Sequence, residues 1–354
     1  MKAFITIDTI YLNVRYPYSD IFLKWFKYAD GVDHRRLKEG IAVSDFVVRC
    51  GSAGYKISIW QHDARLFLTE DVDEKRGEGK GMGIWVQLGP KFIIQHINNL
   101  HAAVNELLKA AGIEGEYPIR ITRLDVAVDL LGLAMSEQDL NLWFDGWVGR
   151  SKVSKIERNS RTGELETLYV GSRSSAVYLR VYDKVAQAAA EGDLMYWFDV
   201  WQESDQPVTR VEWEVKPSEG NFQEDLKDFC LFNGFSVREL LIYLLDWGRL
   251  CIPDMNDSNR RRWKDAQLWT DLRDVVAIWA DGVDWPTSRY GKEFHGISEA
   301  YIKFVSGTIA GAMARCDSKA PSLHTLFAYL EDHGETWTVI NKKALKKAEI
   351  IARL

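Results

Sequence analysis

The stretch Thr167–Lys184, TLYVGSRSSAVYLRVYDK, has the pattern of two short strands joined by a tight turn. Aromatic and β-branched residues flank the Gly/Ser cluster at residues 171–175, which suits a reversal of the chain. Because strand side chains alternate between two faces, Val177, Leu179 and Val181 share one face. The opposite face carries two phenols between cations: Tyr178, Arg180, Tyr182 and Lys184. The second strand is therefore predicted to bury one face in a core and to present the other to phosphate.

Two other segments have the same amphipathic design. RLDVAVDL, residues 123–130, places Arg123, Asp125 and Asp129 on one face and aliphatic residues on the other. TRVEWEVK, residues 209–216, has a charged face that consists of Arg210, Glu212, Glu214 and Lys216. Three such strands predict one sheet that is covered by helices behind and open in front.

The element order from residue 120 onwards predicts a β-α-β-β-α-β unit. Its strands are expected at 121–130, 166–170, 177–184 and 208–216, and its helices at 136–148, beginning at Ser136, and 185–201. In the split βαβ arrangement the first and third strands are neighbours, and the fourth lies on the other side of the first. We therefore expect an α+β fold with an open, mostly antiparallel sheet of this type, helices on one face, and a helical C-terminal region. This order brings Asp125, Asp129, Glu212, Glu214 and Tyr182 to one open face.

The pattern divides the chain into three regions. Residues 1–119 form an N-terminal α+β half, residues 120–220 the catalytic half, and residues 221–354 the helical region. The first region has strand patterns at 3–15, 43–70 and 83–88 and helix patterns at 19–29 and 92–111. The last has helical spacing at 225–229, 236–249, 263–280, 297–315, 322–332 and 341–353. The glycine-rich segment GEGKGMG, residues 77–83, lacks the spacing of a phosphate-binding loop and fits a hairpin tip.

Composition limits the class of protein. The chain has 354 residues, of which 46% are hydrophobic and 27% charged, as in ordinary globular proteins. Its four cysteines form no C-x-x-C pair, which argues against a disulfide framework or zinc ribbon and for a reducing cytoplasm. No apolar run approaches the ~20 residues that span a membrane. The net charge of −6 argues against a protein that coats nucleic acid, although an enzyme needs only a local basic surface.

The front face suits phosphodiester chemistry. Close carboxylates without histidine favour Mg²⁺ or Mn²⁺, which polarises a phosphodiester oxygen. A tyrosine beside such an ion and two basic side chains can attack phosphorus, exchanging one diester for a phosphotyrosine. The alternative is structural: tyrosine is common in strands, and the acidic residues can simply pair with Arg123 and Arg210 across a sheet.

Four motifs in order resemble the replication initiation factor family, whose members are rolling-circle initiators of plasmids and some filamentous phages, with related relaxases of conjugative elements. They are R-x-D-x-A-x-D at 123–129, T-x-Y-x-G-S-R-x-S at 167–175, L-R-x-Y-D-K at 179–184 and R-x-E-x-x-x-K at 210–216. The resemblance covers mainly residues 120–217. It implies that Tyr182 is the nucleophile, flanked by Arg180 and Lys184. It also implies that Asp125, Asp129 and Glu212 hold the metal, with Glu214 as a fourth candidate.

The chain departs from the family pattern at one position. It also lacks the motifs of other classes of enzyme that nick DNA. Many plasmid members carry glutamate five residues after the tyrosine, where this chain has Gln187. No His-x-His pair occurs, which separates the chain from histidine-metal nicking enzymes, and the R…H-x-x-R…Y pattern of tyrosine recombinases is missing as well. DNA phosphate contacts are expected from Arg123, Lys152, Lys155, Arg158, Arg173, Arg210, Arg260, Arg261, Arg262 and Lys264.

The function expected from the sequence is initiation of rolling-circle replication by nicking and rejoining one strand at an origin through a 5′-phosphotyrosine. The implied partners are origin DNA, single-stranded or extruded as a hairpin, a host helicase and a host polymerase; homodimerisation is open. One alternative is a mobilisation relaxase with the same chemistry, distinguished by a coupling protein encoded nearby. The other is a DNA-binding regulator without catalysis, against which the retention of Tyr182 and the carboxylates argues.

Overall fold

The computed structural model describes residues 2–16, 19–69, 83–134, 137–158, 165–203, 206–220 and 222–280. Its strands are β1 (Lys2–Val14), β2 (Ile41–Val43), β3 (Phe46–Cys50), β4 (Ile57–Gln61), β5 (Ala64–Leu68), β6 (Ile84–Leu88), β7 (Ile119–Leu131), β8 (Trp147–Gly149), β9 (Val153–Arg158), β10 (Leu165–Val170), β11 (Val177–Asp183), β12 (Val208–Val215) and β13 (Gly248–Leu250). The helices are α1 (Ser19–Phe26), α2 (His34–Glu39), α3 (Pro90–His96), α4 (Leu100–Ala111), α5 (Glu137–Gly146), α6 (Lys184–Glu191), α7 (Leu194–Trp201), α8 (Gly234–Trp247) and α9 (Gln267–Trp279).

Two long strands, β1 and β7, form the centre of the main sheet. Each has 13 residues, and they pair antiparallel along almost their whole length. The back face of β7 is aliphatic, and its side chains Leu124, Val126, Val128 and Leu130 are completely buried. The alternation seen in the sequence therefore fixes which face of the sheet is the core.

The main sheet has eleven described strands in the order β2-β3-β4-β5-β6-β1-β7-β12-β11-β10-β9, and every pairing is antiparallel. Each half consists of one long strand followed by a meander whose last strand returns beside it. β6 returns beside β1, and β12 returns beside β7. The prediction of an α+β fold with a large open antiparallel sheet is confirmed.

The predicted strand order within the second half is wrong. The 121–130 strand was expected beside both 177–184 and 208–216, but β12 lies between β7 and β11. The cause is β9, a strand that the sequence pattern did not predict and that pairs with β10. With β9 added, the meander has one more reversal, so β11 runs in the same direction as β7. Only β12, antiparallel to both, can then lie between them.

Helices cover the back face in both halves. In the N-terminal half, Trp25 of α1 packs edge-on against Phe46, with ring centroids 5.1 Å apart, and donates a hydrogen bond to Ala111 O of α4 at 2.8 Å. In the C-terminal half, Trp269 of α9 contacts the buried Trp213 on the back of β12. The front face was predicted to be open, but α7 covers part of it: Trp201 of this helix donates a 2.8 Å hydrogen bond to Asp129.

Local signals explain where several helices begin and end. A capping box at Asn233 starts α8, and Gly192, with φ 78°, ends α6 in the left-handed region that glycine tolerates. The single helices expected at 92–111 and 185–201 are therefore two helices each: α3 and α4, and α6 and α7. The helices predicted at 297–315, 322–332 and 341–353, the cap at Ser136 and the loop from 71 to 81 lie outside the described residues.

The contacts within the chain divide it into two compact units, Met1–Val283 and Asp284–Leu354. Every described residue belongs to the first unit. A second small sheet in this unit pairs β8 with β13 beside α5 and α9, where Trp143, Trp147 and Trp269 pack together. None of the described helices is long and apolar enough to cross a membrane.

Candidate active site

The front face of the sheet lines up the predicted site residues in three rows across β7, β12 and β11. Because directly opposed residues of antiparallel strands share a face, the register alone sets these rows. They are Asp125–Glu214–Tyr178, Ala127–Glu212–Arg180 and Asp129–Arg210–Tyr182. The structure therefore places Tyr182 diagonally opposite Glu212, on the neighbouring strand.

Tyr182 is hydrogen-bonded to a buried carboxylate. Its hydroxyl donates to Glu212 Oε2 at 2.6 Å, and the Glu212 residue is 1% exposed. The Tyr182 residue itself is half-buried. Burial, followed by the nearby Glu212 charge, raises the pKa of the Tyr182 phenol well above its ordinary value of 10. The hydroxyl is therefore protonated at neutral pH and already points its proton at a base.

Arg180 connects two carboxylates next to this pair. Its Nη2 bonds Glu212 Oε1 and also lies 3.3 Å from Asp125 Oδ2. Asp125 is held in addition by Arg123, whose Nε and Nη2 donate to its two oxygens at 2.8 and 2.6 Å. Glu214 belongs to the same group through Arg123 Nη2 at 3.0 Å. The predicted residues Asp125, Glu212, Glu214 and Tyr182 are thus brought together.

Asp129 lies in a separate, fully buried cluster. Both of its oxygens pair with Arg210, at 2.5 and 2.8 Å, and Trp201 donates to one of them. Asp129 and Arg210 are each 0% exposed. Arg210 also bonds the carboxylate of Asp8. The prediction that Arg210 contacts DNA does not fit this complete burial; its guanidinium holds β7, β12 and β1 together.

Lys184 lies beside this cluster at the start of α6. Asp183 caps that helix by accepting the amide of Ala186 at 2.9 Å, which turns the chain so that Lys184 is buried. The ammonium lies 4.3 Å from the Trp197 ring centroid and donates to Gln187 at 2.8 Å. Burial, with a further contribution from Arg210, lowers the pKa of Lys184 to about 8. Gln187, where many members of the family that the motifs resemble have glutamate, is therefore in contact with Lys184.

The formal charges of the groups around Tyr182 balance. Five cations, Arg123, Arg180, Lys184, Arg210 and Lys216, lie among five carboxylates, Asp8, Asp125, Asp129, Glu212 and Glu214. The net formal charge of the group is zero. A phosphodiester that approaches this face therefore meets no net repulsion in spite of the buried carboxylates.

The described carboxylates do not assemble a metal centre in this arrangement. Among the described residues, no three Asp, Glu, His or Cys side chains are grouped so that they could hold an ion. Asp129 is saturated by Arg210 and Trp201, and the guanidinium of Arg180 lies between Asp125 and Glu212. All four predicted metal ligands are therefore paired with arginine side chains in this arrangement.

The remaining cations that were predicted to bind DNA lie on two surfaces. Lys152, Lys155, Arg158 and Arg173 are exposed around β9 and the β10–β11 turn. Lys155 pairs with Glu157. Arg260, Arg261, Arg262 and Lys264 are exposed in a different place, next to α5 and β13, where Arg262 pairs with Asp257 at 2.6 Å and Arg260 bonds Asp145 O.

The sequence pattern did not indicate Asp8 or Trp201 as residues of the site. The register between β1 and β7 shifts between Ile7 and Thr9, so Asp8 is an extra residue in a bulge, and its side chain reaches Arg210. The bulge changes the phase of the apolar alternation in β1, from Ile5 and Ile7 to Ile10, Leu12 and Val14. That change of phase was not used, and it does not indicate that Asp8 meets Arg210. Trp201 had a weak signal, since it ends an aromatic-rich helical segment, but nothing local indicates that its indole meets Asp129.

Comparison with solved structures shows a similarity in fold. The chain is similar to a solved structure, a rolling circle replication initiator protein from Geobacillus stearothermophilus, with 19% sequence identity and a TM-score of 0.48. The match covers 77% of this chain and 97% of that chain. No protein-family model matches the sequence, and no curated protein matches it. Similarity at this level does not assign a function to the chain.

Proposed function

We propose that this protein nicks and rejoins one strand of origin DNA through a 5′-phosphotyrosine on Tyr182, and thereby initiates rolling-circle replication. The observation that carries the proposal is the 2.6 Å hydrogen bond from the Tyr182 hydroxyl to Glu212, whose other oxygen is bonded to Arg180. A nucleophile, a base and a cation thus adjoin on one face of the sheet. This is the arrangement that an activated nucleophile requires.

Glu212 acts as the general base in this proposal. As Tyr182 Oη bonds to phosphorus, Glu212 Oε2 accepts the phenol proton, and the bond from phosphorus to the 3′ oxygen breaks. That oxygen takes up a proton from water and leaves as the 3′ hydroxyl from which a polymerase extends, while Glu212 releases the phenol proton to water. Because the pKa of Tyr182 is raised, phenolate is scarce at neutral pH, and proton removal must accompany the attack. Rejoining reverses the same steps.

Arg180 is the proposed electrostatic stabiliser. When Glu212 takes the proton, Arg180 keeps only one of its two carboxylate partners, Asp125. Its positive charge can then stabilise the equatorial phosphoryl oxygens. Arg123, which clamps Asp125, acts as a positioning residue.

The wider assignment rests on the resemblance of the motifs. Origin DNA, a host helicase and polymerase, and a second copy of the chain are proposed partners, and the cytoplasm is the proposed compartment. Dependence on Mg²⁺ or Mn²⁺ is retained as a prediction that the nicking assay tests by addition of a chelator; no step above is derived through a metal. The relaxase alternative uses the same chemistry and has no observation of its own in its favour.

The test uses single-stranded oligonucleotides that tile the DNA flanking the gene, labelled at the 3′ end. A 5′-phosphotyrosine transfers this label to the protein, where it is seen on a denaturing gel. Tyr182→Phe should form no adduct, and Glu212→Gln should form it about 10²- to 10⁴-fold more slowly. Tyr182→Phe should cost only about 1 kcal/mol of stability, because Glu212 keeps Arg180.

Tyr178→Phe is the matched control, since Tyr178 lies two residues earlier on the same face. Its ring stacks on Tyr169 with centroids 5.6 Å apart, and phenylalanine keeps that contact. The control should nick like the natural chain. If Tyr182→Phe forms an adduct and Tyr178→Phe does not, the nucleophile is Tyr178 and the proposal for Tyr182 is wrong. Origin binding without any adduct from the natural chain would favour the non-catalytic regulator.

A further inference from the structure

The front face continues from the Tyr182 site onto the N-terminal half of the sheet. One row of directly opposed residues crosses five strands, from β7 to β4: Arg123–Tyr11–Gln87–Arg65–Trp60. Arg123 is the residue that clamps Asp125 beside Arg180. The row therefore starts at the candidate active site and leads away from it across the sheet.

The far end of the row is a tryptophan between two arginines. The guanidinium carbons of Arg65 and Arg49 lie 4.0 and 4.4 Å from the Trp60 ring centroid. All three residues are partly exposed. Neither arginine forms an ion pair with a described carboxylate, and Arg49 Nε has no hydrogen-bond partner among the described residues. Strands β3 to β6 contain no Asp or Glu, and their charged residues are Arg49 and Arg65.

A second aromatic group joins this end to the active site. Trp85 stacks on Tyr11 with centroids 5.2 Å apart and planes at 23°, and on Tyr55 at 5.9 Å and 22°. Arg123 lies over the Tyr11 ring at 4.9 Å. Trp85, Tyr11 and Tyr55 are partly exposed, whereas the back face of the same strands is aliphatic and buried.

Partly exposed aromatic rings beside arginines that have no described carboxylate partner, as at Trp60, have the chemistry of a single-strand binding surface. Bases stack on the rings, and the guanidiniums neutralise phosphates. From β11 to β4 there are six strand spacings, about 29 Å at roughly 4.8 Å each. That length matches about eight stacked nucleotides at ~3.4 Å each, within the site sizes of known single-strand binding folds.

We propose that single-stranded DNA flanking the cleaved phosphodiester lies across the N-terminal half of this face, with Trp60 and Trp85 as aromatic contacts to the bases and Arg49 and Arg65 as phosphate contacts. The inference rests on the proposed function for the position of the cleaved bond. The binding surface itself is tested without cleavage.

The experiment measures fluorescence polarisation of labelled oligo(dT) of 4 to 16 nucleotides with the full chain carrying Tyr182→Phe. Affinity should rise with length and level off at about eight nucleotides. Trp60→Ala should weaken binding about 5- to 150-fold, the range for loss of one base stack. Arg65→Gln, which keeps Trp60, should lower the slope of log affinity against log salt by about 0.7.

Trp279→Ala is the matched control, because Trp279 is also partly exposed and lies under an arginine, Arg238, at 5.5 Å, but on α9 of the back layer. It should bind oligo(dT) normally. Unchanged affinity in both Trp60→Ala and Arg65→Gln, an equal loss in Trp279→Ala, or equally tight binding of duplex DNA would overturn the inference. If the natural chain forms no adduct and Trp60→Ala still loses affinity, the proposed function fails while the single-strand surface is supported.

Discussion

Replacing Asp129 by asparagine tests whether this residue is a structural partner of Arg210 or a metal ligand. Asp129 and Arg210 are both 0% exposed, and two parallel hydrogen bonds of 2.5 and 2.8 Å join them. Asparagine keeps the size of the side chain and its bond from Trp201 but removes the charge. Among the residues that the structure describes, Arg210 then keeps only Asp8, whose side chain is 17% exposed, as its ion-pair partner.

The expected cost follows from the burial. Removing one member of a buried ion pair typically costs about 3–5 kcal/mol, because the remaining charge is uncompensated. Since Asp8 still pairs with Arg210, we expect a value near the lower end, about 3 kcal/mol. The free energy of unfolding is obtained from urea titrations followed by circular dichroism. Asp8→Asn should cost less, because Asp8 is partly exposed and Arg210 keeps Asp129.

A double-mutant cycle isolates the pair. Asp129→Asn in an Arg210→Met background should lower the free energy of unfolding by about 2 kcal/mol less than it does in the natural chain. The reason is that the Arg210 charge, which the substitution would leave uncompensated, is then absent. If Asp129→Asn leaves the urea midpoint unchanged but abolishes nicking that depends on Mg²⁺, the pairing described above is wrong. Asp129 would then be a metal ligand, as the family resemblance implies.

Two further predictions concern charge. Burial holds the pKa of Lys184 at about 8, below its ordinary 10.5, so between these values the unfolded chain binds more protons than the native one, and stability should rise with pH. Lys184→Met should reduce that rise in urea midpoints measured at pH 8, 9 and 10, and an equal slope would contradict the burial of a titrating amine. Neutralising the exposed Lys152 or Arg173 should lower the salt dependence of oligonucleotide binding by about 0.7 per residue. Arg262→Gln, already paired with Asp257, should change it little, and a larger effect there would move the DNA path to that surface.

The sequence alone determined which side chains share a face. Period-two alternation in residues 123–130, 177–183 and 209–215 put Asp125, Glu212 and Tyr182 on the side opposite the aliphatic core, and the structure agrees. This is predictable because alternation is a local property of an extended chain and holds whatever the neighbouring strand is. The α+β class and the antiparallel sheet followed in the same way.

The tertiary structure decided which strands are neighbours and which charges pair. Strand order depends on the number of reversals in the meander. Because β9 adds one reversal, β11 runs in the same direction as β7, and β12 pairs with both. The bulge at Asp8, the indole of Trp201 on Asp129, and the continuation of the front face to Trp60 each join residues far apart in the chain. Such contacts are set by long-range register rather than by local pattern, because each strand's alternation is compatible with any partner that matches its faces.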